Sequence, residues 1–318
     1  MQCPKCVALI PDEDLFCESC GSRVQAEPEC PCFTGLQDLD EDGYCLRCGR
    51  RVIRPAEDHL EFELSPDFAG VSDRGLRHHS NEDRFAIDEV NGWRLLVVCD
   101  GVSSSPDADK AAVQGSQAAL ASMRKDLENG ASAPDAVKSS VDAAAVAVSE
   151  LGLRLQEAPS TTIVSAAMSD KQIAVAWIGD SRAYWIADGH AHQLTTDHSW
   201  LNMALERGEI DRAEAGRSRN AHALTRWLGV DSDPGDPGTV LQEIEGVGAL
   251  LLCSDGLWNY ADTDQAMSDL VLDSAKSADT ALGIARYLIE YALTEGGHDN
   301  ITAVVLRQPG VSPPEDSL

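Results

Sequence analysis

Four aspartates stand where short apolar runs meet small or polar residues: Val98-Cys99-Asp100-Gly101, Ile178-Gly179-Asp180-Ser181, Cys253-Ser254-Asp255-Gly256 and His298-Asp299-Asn300. An Asp-Gly pair after a strand is a common turn signal, so each of these taken alone reads as a turn. Their recurrence at what look like strand exits suggests a shared purpose. If the strand ends converge, two bare carboxylates about 4 Å apart repel by roughly 4 kcal/mol at an effective dielectric of 20, and the cluster calls for divalent cations. Hard oxygen ligands favour magnesium or manganese.

A second chemistry lies upstream, where eight of the ten cysteines fall within the first 48 residues. Cys3-Pro4-Lys5-Cys6 and Cys17-Glu18-Ser19-Cys20 form one pair of knuckles; Cys30-Pro31-Cys32 and Cys45-Leu46-Arg47-Cys48 form another. Each set offers four thiolates to one tetrahedral zinc, which leaves no open position for a reactive water, so two structural zinc ions are expected. Gly21 and Gly49 follow the second pair of each set, where a tight turn lets backbone N–H groups face the sulfurs. So short a segment buries little apolar surface, and the metal would supply folding energy on the order of 10–16 kcal/mol per site. Cys99 and Cys253, alone at the ends of apolar runs, read as ordinary buried thiols.

The elements that must position the aspartates are short apolar runs at 93–99, 161–168, 173–178, 249–253 and 301–306, read as strands with at least one buried face. Residues 107–128 and 134–156 are Ala-rich and helical in pattern, and 264–295 holds two further helical stretches. Two consecutive helices before a block of strands argue for a layered α+β fold over an alternating βαβ one. Residues 53–67 are polar, acidic and contain Pro55 and Pro66, which reads as a linker between a module at 1–52 and a large domain at 68–308; residues 309–318 read as a disordered tail.

Composition narrows the partners. The 318 residues carry 25 Lys and Arg against 53 Asp and Glu, a net charge of −28 that repels nucleic-acid backbones and anionic lipid surfaces. No apolar run reaches the length of a membrane span, and the opening residues lack the pattern of an export signal, so a cytoplasmic location is expected. A reducing compartment also favours thiolate–metal binding over disulfides.

Ordered motifs across residues 68–307 resemble those of the type 2C (PPM) metal-dependent serine/threonine phosphatases, in their bacterial form. They are Ser72-Asp73-Arg74-Gly75 with Asn81-Glu82-Asp83, Val97-Val98-Cys99-Asp100-Gly101, Ser160-Thr161-Thr162, Gly179-Asp180-Ser181-Arg182-Ala183, Cys253-Ser254-Asp255-Gly256-Leu257-Trp258 and Asp299-Asn300-Ile301-Thr302. Leu194 to Ser199 and Leu224-Thr225-Arg226 resemble the segments that precede and close the family's mobile flap. The resemblance implies an α/β sandwich of two central antiparallel sheets flanked by helices. The cysteine sets of residues 1–52 are similar to zinc ribbons, which implies a small N-terminal docking module.

By the same resemblance Asp100 would bridge two Mg²⁺ or Mn²⁺ ions, Gly101 would offer its carbonyl, Asp255 and Asp299 would hold the first ion, and Glu82 would serve the second. Asp83 fits a role behind the ligands, orienting their waters, and Asp180 fits a weaker third metal position. Hydrolysis would then proceed by in-line attack of activated water, without a covalent phosphoenzyme. Three positions depart from the family pattern. His78 stands where the phosphate-binding arginine is usual, with Arg77 beside it as the competing candidate. Asn259 replaces a frequent Asp, and Val102-Ser103-Ser104-Ser105 replaces a turn that is often Gly-rich or His-containing. Phosphorylated proteins are the implied partners, among them a bacterial serine/threonine kinase or a forkhead-associated protein. Two other readings stay open: a phospho-reader or pseudophosphatase that binds without turnover, and a zinc-ribbon adaptor.

Overall fold

The computed structural model describes residues 45–49, 56–208 and 223–308. The chain divides into two compact units, Met1–Asp58 and His59–Leu318. In the first, the turn after the last cysteine pair is described: Gly49 takes a φ of +70° and donates its N–H to the Cys45 carbonyl at 2.7 Å. Cys45 is buried and Cys48 exposed. Cys3, Cys6, Cys17, Cys20, Cys30 and Cys32 lie outside the described residues, as does the tail at 309–318.

The second unit begins with four strands, β1 (His59–Ser65), β2 (Phe68–Asp73), β3 (Asp83–Val90) and β4 (Trp93–Asp100), followed by helices α1 (Ala108–Glu128) and α2 (Ala133–Leu155). Strands β5 (Ile163–Met168), β6 (Gln172–Ile178), β7 (Arg182–Ala187) and β8 (His190–Gln193) lead to helix α3 (Trp200–Glu206). After β9 (Gly238–Glu243) and β10 (Gly248–Cys253) come α4 (Asp255–Trp258), α5 (Asp264–Ser277), α6 (Ala281–Glu295) and the last strand, β11 (Ile301–Gln308).

These strands form a six-stranded sheet, ordered β1-β2-β11-β10-β7-β8, and a five-stranded sheet, ordered β3-β4-β5-β6-β9. Every pairing is antiparallel. Alternation along the strands explains the layering. On β4, Leu96 and Val98 enter the core between the sheets, while Leu95, Val97 and Cys99 pack under α1 and α2. On β10, Leu250 and Leu252 enter the inter-sheet core, and Leu251 and Cys253 pack under α5 and α6. Both faces of each sheet are therefore apolar, which is why these strands read as continuous apolar runs. Helix starts are capped as local chemistry requires: Ser132, Thr263 and Thr280 accept from the N–H groups of Asp135, Ala266 and Gly283.

One expectation is corrected. The segment read as a linker, 53–67, contains β1, whose residues pair with β2 from His59↔Asp73 to Ser65↔Phe68. An edge strand needs only backbone pairing on one side, and β1 leaves most of its residues exposed, so no apolar run announces it. Glu61 fixes it to α6 through Arg286, and His59 contacts Asp73 at 2.7 Å.

Candidate active site

Strand pairing creates the site. In the five-stranded sheet Asp83 and Asp100 are direct partners at the adjoining ends of β3 and β4. Just beyond them the Gly101 N–H donates to the Glu82 carbonyl at 3.1 Å. A side chain at Gly101 would collide with that carbonyl, 2.8 Å from the position of a Cβ, so glycine lets the two loops touch. Thr161 secures the other side of Asp100: its hydroxyl donates to the Asp100 carbonyl at 2.9 Å, as the Thr162 N–H does at 2.7 Å.

In the six-stranded sheet β10 and β11 pair as Cys253↔Ala303; just beyond, the Ser254 N–H donates to the Thr302 carbonyl at 3.2 Å, and the turn that carries Asp255 runs on against Asn300. Asp255 opens α4, and Asp299 precedes β11, so Asp299 stands at a strand start instead of the expected strand exit. Gly256 passes within 2.0 Å, measured from a notional Cβ, of the Asn300 carbonyl, an approach that excludes any side chain. Two contacts tie the sheets together at this end. The Ser254 hydroxyl donates to Asp83 Oδ2 at 2.6 Å, and the Glu82 N–H donates to Asn300 Oδ1 at 2.8 Å. The Asn300 amide also donates to the carbonyls of Arg74 and Ser80 at 2.7 and 3.0 Å, fixing the loop that carries His78.

Asp180 leaves the end of β6 after Gly179, whose φ of +107° is open to glycine and strained for other residues. The Trp258 indole donates to the Asp180 carbonyl at 2.9 Å, and the Arg182 guanidinium lies over that indole at 3.6 Å while pairing with Asp197. The result is an open cavity of about 140 Å³ lined by Asp100, Gly101, Val102, Ser103, Thr162, Asp180, Leu224, Asp255 and Asp299.

Thus the cavity gathers all four motif aspartates and Gly101. Glu82 and Asp83 stand in its supporting wall. His78 approaches from one side, its Nε2 3.1 Å from Asp299 Oδ1, whereas Arg77 is exposed. Asn259, the departure four residues after Asp255, donates to Asp255 Oδ2 at 3.3 Å. The supporting roles of Asn300, Ser254 and Thr161 were not readable as contacts, although each stands inside a motif. Ser103, Thr162 and Leu224 lie in motif or departure segments without any residue chemistry that marks them as cavity lining.

Burial, followed by the neighbouring carboxylates, raises Asp100 and Asp255 well above the ordinary range for aspartate. Burial pushes Asp83 and Asp180 up to about 7, and also raises Glu82. Glu82 Oε2 and Asp83 Oδ1 are buried with no hydrogen-bond partner. Among the described residues no three His, Cys, Asp or Glu side chains are drawn together tightly enough to cage an ion. The donor chemistry nevertheless suits one: hard carboxylate oxygens line the cavity, two more stand buried and unsatisfied in Glu82 and Asp83 behind it, and cation binding would neutralise them.

Fold and cavity together define a hydrolase of the phosphatase 2C class, and comparison with known proteins agrees. The sequence profile of the Protein phosphatase 2C family matches residues 76–286. Serine/threonine phosphatase stp of Listeria welshimeri is 28% identical over 254 residues, covering 74% of this chain and 94% of that protein. Serine/threonine protein phosphatase PstP of Mycobacterium tuberculosis is 31% identical over 244 residues, covering 75% of this chain and 44% of that protein. The crystal structure of Mycobacterium tuberculosis PstP/Ppp superposes with a TM-score of 0.63 at 28% identity, covering 76% of this chain and 98% of that one. The PstP catalytic domain in complex with two manganese ions superposes with a TM-score of 0.60 at 27% identity, covering 76% and 96%. The chain belongs to the protein phosphatase 2C family and is a serine/threonine phosphatase of that type.

Proposed function

We propose that the chain hydrolyses phosphoserine and phosphothreonine in proteins at this cavity, with Mn²⁺ or Mg²⁺ as cofactor and the N-terminal cysteine module as a docking or regulatory element. The observation that carries the reading is the gathering of Asp100, Asp180, Asp255, Asp299 and Gly101 on one open cavity. Asp100, with the Gly101 carbonyl, would serve two ions; Asp255 and Asp299 would complete the first, Glu82 the second, and Asp180 a weaker third. When bound, the ions would supply charge neutralisation at the phosphoryl group and a water of depressed pKa for in-line attack.

The remaining work falls to the chain itself. Asp83, held by Ser254, sets the position of Asp100 across the strand pair. Asn300 holds Glu82 and the loop of residues 74–80 in one register, so ligand and phosphate-binding groups move together. His78, half-buried beside Asp299, is the better placed candidate to receive a phosphate oxygen, because Arg77 points to solvent. Leu224 and Val102 give the cavity wall apolar surface for the phosphorylated residue's neighbours.

The eight N-terminal cysteines are read as two structural zinc sites, and phosphorylated proteins, a bacterial kinase or a forkhead-associated protein among them, as the partners that the family membership suggests, in the cytoplasm. Among the described residues no helix is long and apolar enough to cross a membrane. Release of phosphate from a phosphothreonine peptide, dependent on added manganese and abolished by chelation, tests the enzyme reading. Peptide binding without release would favour a phospho-reader. Metal analysis of the reduced full-length chain tests the cysteine reading, with about two tightly held zinc ions expected.

A further inference from the structure

His198 follows Asp197 on the segment between β8 and α3, away from the cavity lining, yet it touches both sides of the site's rim. Its backbone N–H donates to the Gly179 carbonyl at 2.9 Å, and its carbonyl accepts from the Thr225 N–H at 2.9 Å. The ring is half-buried, stacked on Trp177 with centroids 6.3 Å apart, and meets a donor at each nitrogen. The Gly179 N–H points at Nδ1 at 3.1 Å, and the Arg226 guanidinium reaches Nε2 at 2.9 Å.

A neutral imidazole has one lone pair, and a guanidinium cannot accept. In one tautomer the ring accepts from Gly179 and turns an N–H toward Arg226; in the other it accepts from Arg226 and turns an N–H toward Gly179. Protonation offers no escape, since it removes the lone pair altogether, and burial together with the adjacent Arg226 pushes the ring's pKa down to about 4. The two donors belong to different parts of the site. Gly179 precedes Asp180, which lines the cavity, and Arg226 lies two residues from Leu224, which also lines it. Arg226 is anchored independently by the carbonyls of Pro234 and Asp236.

We infer that His198 is a positioning residue that couples Asp180 to the returning segment Ala223–Leu228 by offering one lone pair to two competing donors. When the ring accepts from Gly179, the Asp180 loop gains a second hold beside its backbone bond to His198; when it accepts from Arg226, that second hold passes to the returning segment. This inference rests on reading the carboxylate cavity as a divalent-cation site.

Two substitutions separate the two arms, because an asparagine amide oxygen takes the place of Nδ1 and a glutamine oxygen reaches the place of Nε2. His198→Asn serves Gly179 alone, and His198→Gln serves Arg226 alone. Direct calorimetric titration of the full-length protein with Mn²⁺ is the readout, with thermal stability measured beside it. His198→Asn is expected to keep wild-type Mn²⁺ affinity at the weaker site, and His198→Gln to lose about three- to tenfold, the worth of one neutral hydrogen bond. His198→Ala is expected to match Gln in Mn²⁺ affinity, and its kcat to fall more than its KM is altered. If Asn and Gln bind Mn²⁺ alike, or if all three lose affinity in proportion to lost thermal stability, the coupling is refuted and His198 is only a packing residue. Absence of Mn²⁺ binding by the wild type would instead overturn the cation-site reading itself.

Discussion

Asp83 and Asp100 leave the five-stranded sheet from strand ends that are in register with each other, whereas Asp255 and Asp299 leave the six-stranded sheet from the first residue of a helix and from a loop. The first pair inherits its spacing from backbone pairing, and Asp83 is buried. The second pair depends on a close crossing of loops, with Gly256 against the Asn300 carbonyl, and Asp299 keeps a side chain 40% exposed. One half is thus rigid by construction and the other is held by side-chain contacts from across the seam. Carboxylates from both halves meet there, so their ionisation opposes folding, and on the proposed reading a bound cation would offset that cost.

The largest effect should come from removing one ligand on either side of the seam. Asp100→Asn and Asp255→Asn are each expected to lower kcat by about 10³-fold or more, since on the proposed reading several kcal/mol of charge stabilisation would depend on the cations they hold. Both variants should melt at or above the wild-type temperature when stripped of metal, because each removes a carboxyl whose ionisation burial and its neighbours oppose. Normal turnover in either one, measured with a phosphothreonine peptide, would break the assignment of that half.

The pH dependence of the metal-free protein should be next in size. Asp83 and Asp180 have folded pKa values near 7 against an ordinary value of 3.8, so the folded state keeps protons that the unfolded chain releases. Stability tied to these groups is fully present below about pH 4 and is lost as pH rises through 7, at on the order of 1–2 kcal/mol per unit in the steep region. Glu61, pulled down to about 2 chiefly by Arg286, acts only as pH falls below about 4.5 and leaves this window untouched. Melting temperature in chelator should therefore fall from pH 5 to pH 8, and saturating Mn²⁺ should flatten or reverse that slope because cations bind the deprotonated carboxylates. A chelated protein that melts at higher temperature at pH 8 than at pH 5 would show that the charges are not buried together.

A smaller effect tests the contacts across the seam. Asn300→Ala removes an acceptor for the Glu82 N–H and donors for two carbonyls, and should cost about 1–3 kcal/mol by denaturant unfolding. Because it frees the Glu82 loop, Mn²⁺ affinity should fall with it, while a packing mutation of like stability cost, such as Val304→Ala in the inter-sheet core, should leave that affinity unchanged.

How much of this was legible in sequence follows from the same contrast. The two-layered core was readable because buried strands carry apolar residues on both faces, as β4 and β10 do. The aspartates were readable because a charged residue breaks those runs abruptly. Strand β1 was not, since its pairing is made by backbone and its side chains face solvent. Nor was the part played by Asn300 or His198, whose partners, backbone groups and for His198 also the Arg226 guanidinium, lie more than 15 residues away, which no local spacing encodes.

The smallest prediction concerns Asn259, on the loop-held side of the contrast. Its amide donates to Asp255 Oδ2 at 3.3 Å, and the residue is exposed. Asn259→Asp exchanges that donor for a like charge. Without metal the change should destabilise, and because the position faces solvent the repulsion is screened to about 0.5–1 kcal/mol, or about 2 °C in melting temperature for a domain of this size. With Mn²⁺ the sign should invert. An added carboxylate beside Asp255 strengthens the attraction for a cation, so saturating Mn²⁺ should raise the variant's melting temperature by more than it raises that of the wild type. Two competing terms of opposite sign make the comparison informative: a purely local loss of the Asn259 hydrogen bond lowers both melting curves equally. Equal lowering in chelator and in Mn²⁺, measured by scanning calorimetry on the two proteins side by side, would place Asn259 outside the cation field and confine that field to the four cavity aspartates and Glu82.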